Sequence, residues 1–134
     1  MASNKQPSAA AVGWIFFAST MMALTGIFHV FTGIGGIAKD DIYERAAEYV
    51  FEFDVSTWGW IHLVVGLVML FAAFGLYSGA VWARAVGVSM ALTSAVTGFV
   101  WMPYFPVQGF IYVAVSVAVI WALTAHGRDL ADSR

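Results

Sequence analysis

Gly59-Trp60-Ile61-His62-Leu63-Val64-Val65-Gly66 is the stretch on which the fold turns, because the chain carries its pattern twice. Residues 26–33 read Gly26-Ile27-Phe28-His29-Val30-Phe31-Thr32-Gly33, the same Gly-x-x-His-x-x-x-Gly. At about 100° per residue on a helix, the two glycines stand roughly 60° and 40° from the histidine, so all three share one face. Fainter echoes follow as Ala91-x-x-Ser94-x-x-x-Gly98 and Gly109-x-x-Tyr112-x-x-x-Ser116. Four segments thus present one polar group between residues small enough to let another backbone come close.

The solvent for four such segments is set by composition. Of 134 residues, 61% are hydrophobic and 10% charged, against about 25% charged in an ordinary soluble domain. A soluble domain of this length has too little interior for so much apolar surface, so lipid is the expected solvent. The net charge of −2 and the absence of a basic patch argue against nucleic acid as a partner. With no cysteine, disulfides, thiolate metal sites and iron–sulfur clusters are excluded.

Working outward, residues 1–11 form a polar, Ala-rich tail. No charge then appears from Val12 to Ile37, a span long enough to cross a hydrocarbon core of about 30 Å. A cleaved signal peptide would be shorter and would end in a small-x-small site, so this reads as a retained helix. The second span is expected over 58–77, the third over 81–102 and the fourth over 107–125, followed by a polar tail, 126–134. Ser78-Gly79-Ala80 makes one tight turn, and Pro103-Tyr104-Phe105-Pro106 breaks the helix at the other, since neither proline donates a backbone bond. The fold class is an all-α membrane protein, four transmembrane helices in an antiparallel bundle.

Residues 38–57 differ from the rest. Lys39, Asp40, Asp41, Glu44, Arg45, Glu48, Glu52 and Asp54 stand here, while Ile42, Ala46, Tyr49, Val50 and Phe53 keep a helical apolar stripe. Asp41-x-x-Glu44 resembles a capping box. The segment is expected to be a short amphipathic helix in the membrane interface, anchored by packing, since its polar face is acidic. It lacks the Asp-x-Asp-x-Asp-Gly run of a calcium loop.

The basic residues orient the spans. Lys5, Arg84, Arg128 and Arg134 fall on one side, with only Lys39 and Arg45 on the other, so both termini are expected in the cytoplasm. Trp14, Trp82 and Trp121 mark one interface and Trp58, Trp60 and Trp101 the other, as aromatic belts do.

Several of these residues carry a likeness. Gly59-Trp60-Ile61-His62-Leu63 with Gly66, Trp82-Ala83-Arg84, Pro103-Tyr104-Phe105-Pro106 and Trp121-Ala122-Leu123 resemble a family of small four-helix membrane proteins, mostly actinobacterial, classed as a domain of unknown function. The resemblance runs from Gly59 to Gly127 most clearly and touches all four spans. The resemblance implies a four-helix protein of a bacterial plasma membrane and brings no assigned activity or catalytic residue.

His29 and His62 are the groups that could carry chemistry, and two readings of them stay open. In one, they are packing groups that hydrogen-bond to Ser94, Thr97, Tyr112 or each other, flanked by ordinary small-residue contacts. In the other, the two imidazoles hold a b-type haem, with the glycines making room for the macrocycle; a quinone, lipid or metal contact is a further form of it. Two histidines make a poor zinc site, which normally takes at least three protein ligands, and no carboxylate lies within a span. That same lack of buried carboxylates and lysines speaks against a proton pump or ion-coupled transporter. No Gly-x-Ser-x-Gly occurs, and Gly33-Ile34-Gly35-Gly36 has no following Lys-Ser/Thr to make a phosphate loop. The expectation is a non-enzymatic accessory or scaffold subunit without cofactor, partnered by the bilayer and by its own copies or a larger membrane complex. The alternative is a small haem-bearing or quinone-contacting subunit using His29 and His62.

Overall fold

The computed structural model describes residues 6–38 and 55–132. Among them all regular structure is helical: α1 (Ala9–Ala38), α2 (Val55–Tyr77), α3 (Val81–Trp101), α4 (Pro106–Ala125) and a short α5 (Gly127–Asp132). Four of these helices are long and apolar enough to cross a membrane, with mean hydropathies from 1.3 to 2.1. At most 33% of each apolar window is buried, so the remaining apolar surface needs a hydrocarbon solvent, and the chain is a multi-pass membrane protein. The expected amphipathic helix over 38–57 lies, apart from its two ends, outside the described residues.

Local chemistry sets the helix ends. Helix α1 starts three residues before the expected span because Ser8 caps it. The Ser8 Oγ accepts from the Ala11 N–H at 3.2 Å and its carbonyl from Val12 at 3.1 Å, two amide donors that would otherwise lack partners. Helix α2 closes in a Schellman turn, in which Ala80 N–H bonds to Gly75 O at 3.1 Å and Gly79 N–H to Leu76 O at 3.0 Å. Gly79 takes φ 73° there, a left-handed conformation that strains any residue with a Cβ. Pro106 opens α4 at a position whose N–H would have no helical acceptor anyway. The expected polar tail instead carries α5, where His126 Nδ1 and the Asp129 carboxylate lie 3.4 Å apart.

The chain forms two compact units, one made of the chain up to Met22 together with Phe71 onward, the other running from Ala23 to Leu70. The first unit has its core on Ala11, Ile15, Ala18 and Met22 of α1, spaced i, i+4, i+7, i+11. Ala72, Ala73 and Leu76 of α2, Ala83 and Ala91 of α3, and Val119, Ala122 and Leu123 of α4 complete it. Most of these are small, so the helices approach closely and dispersion over many contacts holds them. Within it α3 and α4 pair through the fainter echo. A Cβ at Gly98 would lie 3.0 Å from the Gly109 carbonyl oxygen and one at Gly109 2.6 Å from that of Gly98.

Not every glycine serves packing. A Cβ at Gly13 or Gly35 would meet nothing within 4 Å. Alanine at either site is therefore expected to raise stability by about 0.5–1 kcal/mol, the usual cost of a helical glycine. Thermal midpoints of the two variants in detergent check this.

Candidate functional site

In the second unit the two Gly-x-x-His-x-x-x-Gly segments meet. A Cβ at Gly26 would lie 3.0 Å from the Gly66 carbonyl oxygen, and one at Gly59 2.8 Å from that of Gly33. Residue numbers rise along α1 as they fall along α2, so each glycine of one motif faces a glycine of the other. The same register puts His29 level with Leu63, one residue from His62. The two imidazoles accordingly lie side by side, centroids 5.0 Å apart and planes inclined by 32°.

Each ring has a distinct hydrogen-bond situation. His62 Nδ1 lies 3.0 Å from the Trp58 carbonyl oxygen one turn earlier. A carbonyl only accepts, so Nδ1 carries a proton, and in the neutral ring Nε2 then holds the lone pair. The Trp58 ring also packs on His62, centroids 4.5 Å apart. His29 Nδ1 is buried with no hydrogen-bond partner. Side by side between two glycine contacts, the rings can pack, or offer a lone pair to a small group.

The fit to a haem follows from the backbones. One turn to either side of the rings the helices touch through glycines, and a Cβ at Gly66 would sit 2.7 Å from the Val30 amide nitrogen. A macrocycle held between the two imidazoles would have to part α1 from α2 at both contacts. Among the described residues no three His, Asp or Glu side chains gather in a metal-binding group.

Two of the three polar side chains expected near the histidines, Thr97 and Tyr112, are bonded elsewhere. Thr97 donates to the Thr93 carbonyl at 2.8 Å, and Tyr112 Oη accepts from Gln108 Nε2 at 2.9 Å. Both line a groove of about 290 Å³ in the first unit, together with Trp101, Phe105 and Gly109. Sequence reasoning passed over this groove; its one signal was Gln108, an amide one turn before Tyr112 on an apolar helix. Thr20, Thr93 and Thr124 likewise turn their hydroxyls onto carbonyls of their own helices at 2.7–3.0 Å, which leaves those helix surfaces fit for an apolar neighbour.

The family model that matches this chain covers residues 14–128, all four membrane-length helices in large part, and is described as Domain of unknown function (DUF7144). No curated protein matches, and no solved structure does.

Proposed function

The chain belongs to the family of Domain of unknown function (DUF7144), and from this premise we propose that it acts as a non-enzymatic accessory or scaffold subunit of a bacterial plasma membrane. The observation that carries the reading is the use made of the histidines. They are the two histidines within the described membrane-length helices, and they lie against each other between two glycine contacts. Groups engaged in that way hold helices together more readily than they transform a substrate. The reading also places both termini in the cytoplasm, supported by the four basic residues of the tails and the α2–α3 side against two on the other. Exposed apolar side chains such as Phe74, Phe99 and Phe110 give each copy a surface for lipid, for a second copy or for a larger complex.

A second reading, a subunit holding haem b on His29 and His62, is favoured by the closeness of the rings and opposed by the backbone contacts around them. One preparation separates the two. Purified in mild detergent from haem-replete cells, the protein is expected to be colourless and to migrate as an assembly larger than its 14.5 kDa chain. A Soret band that sharpens with dithionite and vanishes in His29→Ala and His62→Ala would overturn the scaffold reading. A colourless, strictly monomeric protein would leave it without support.

A further inference from the structure

We infer that Arg84 and Arg128 form a binding site for the phosphate of an anionic lipid headgroup, at the end of the first unit where α3 begins and α4 ends. The reasoning starts from an uncompensated cation. Arg84 is half-buried in the first turn of α3, and its Nε is sealed from solvent without a hydrogen-bond partner. No ion pair to it exists among the described residues. A guanidinium presents five N–H donors in a rigid fork, and leaving part of it buried and unpaired is costly. An arrangement that keeps it there calls for an anion.

The surroundings are shaped for one. The Arg84 stem and Nη1 lie on Gly127, where a Cβ would collide with Cδ and stand 3.0 Å from Nη1. The absent side chain is what lets the guanidinium settle there. Arg128 follows Gly127 directly and is exposed, with no ion pair among the described residues. Asp129 is the nearby carboxylate, but it is turned to His126, 3.4 Å from Nδ1, and makes no ion pair with Arg84. Among the described side chains, two guanidinium groups stand against one carboxylate, which leaves a positive site.

Depth selects the ligand. Trp82, two residues before Arg84, is exposed, and Trp14 and Trp121 pack edge to face with centroids 4.9 Å apart near the end of α4. Tryptophans so placed mark the headgroup level, where the abundant anion is phosphate, and the guanidinium fork matches its oxygens in a two-point contact. A positive site at that level favours a net-anionic headgroup over a zwitterionic one. None of this depends on whether the protein is a scaffold or a cytochrome.

The test is native mass spectrometry of the detergent-purified full chain, titrated with dioleoylphosphatidylglycerol, dioleoylphosphatidylcholine or inorganic phosphate. The parent is expected to hold one phosphatidylglycerol about tenfold more tightly than phosphatidylcholine, which corresponds to ~1.4 kcal/mol. Arg84→Gln should abolish the preference, and Arg84→Lys should keep part of it, having the charge without the fork. Arg128→Gln, a change at an exposed residue that leaves the fold intact, should weaken the preference by about fivefold. Gly127→Ala should weaken it by displacing the guanidinium. Displacement of the lipid by millimolar inorganic phosphate would keep the phosphate chemistry and assign the site to a soluble ion. Undiminished preference in Arg128→Gln and in whichever Arg84 variant folds would overturn the inference.

Discussion

Gly33→Ala is expected to destabilise the second unit by about 2–3 kcal/mol, the upper part of the range for overpacking a filled contact. The new Cβ would lie 2.5 Å from the Leu63 amide nitrogen, 2.7 Å from the Gly59 carbonyl oxygen and 2.8 Å from the Leu63 Cα. All three are backbone atoms, so no rotamer change relieves the clash and α1 must move away from α2. In a membrane that separation is serious, because close packing supplies most of the attraction between helices that lipid solvates equally well. Thermal unfolding in detergent, beside Gly35→Ala, measures it. The two alanines differ by two residues on one helix, yet one is opposed by backbone and the other by nothing within 4 Å. A Gly33→Ala protein that melts with the parent would mean that the backbones do not touch at this crossing. Gly66→Leu should be worse still, since even its Cβ would lie 2.7 Å from both the Gly26 carbonyl oxygen and the Val30 amide nitrogen.

These glycines were legible because the repeated motif carries its own register. A helix period places both glycines and the histidine of each copy on one face. Laid head to tail, the copies match glycine with glycine and leave the histidines one residue out of step. The spans were legible for a similar reason: runs without charge, closed by Ser78-Gly79-Ala80 and by Pro103 and Pro106, fix helix length from local chemistry. The expected ends at Val12 and Trp58 fell short of the observed Ala9 and Val55. Ser8 can cap a helix and polar residues such as Ser56 and Thr57 can open one, so the first apolar residue marks the start of the span and not of the helix. The seat of Arg84 on Gly127 was not legible. It joins residues far apart in the chain, and nothing in either local pattern states which turn of α3 faces which turn of α4. The Gln108–Tyr112 groove stayed hidden for the same reason, as did the helical form of the last residues before 132.

The first unit offers the companion experiment at the α3–α4 pair. Gly109→Ala is expected to cost about 2 kcal/mol, because its Cβ would lie 2.6 Å from the Gly98 carbonyl oxygen and 2.9 Å from the Met102 Cα. Gly109 also lines the groove with Trp101, Gln108 and Tyr112, so forcing α3 from α4 should change the surroundings of Trp101 and weaken the Gln108–Tyr112 bond. The expected result is a lower thermal midpoint together with a shifted tryptophan emission, the shift being smaller when Trp101 is replaced by Phe. Gly75→Ala supplies the scale. Its Cβ would meet the Ala83 Cβ at 2.9 Å and the Trp82 ring at 3.0 Å, and Trp82 is exposed and can swing aside. Trp82 can yield but the Ala83 Cβ is fixed to its own backbone, so Gly75→Ala should cost somewhat less than Gly109→Ala, whose Cβ meets backbone atoms at 2.6 and 2.9 Å. Equal costs would show that the Gly98–Gly109 contact is cushioned by motion of the helices. In that case the fainter echo of the motif would be a weaker clamp than the histidine-bearing pair, despite its similar spacing.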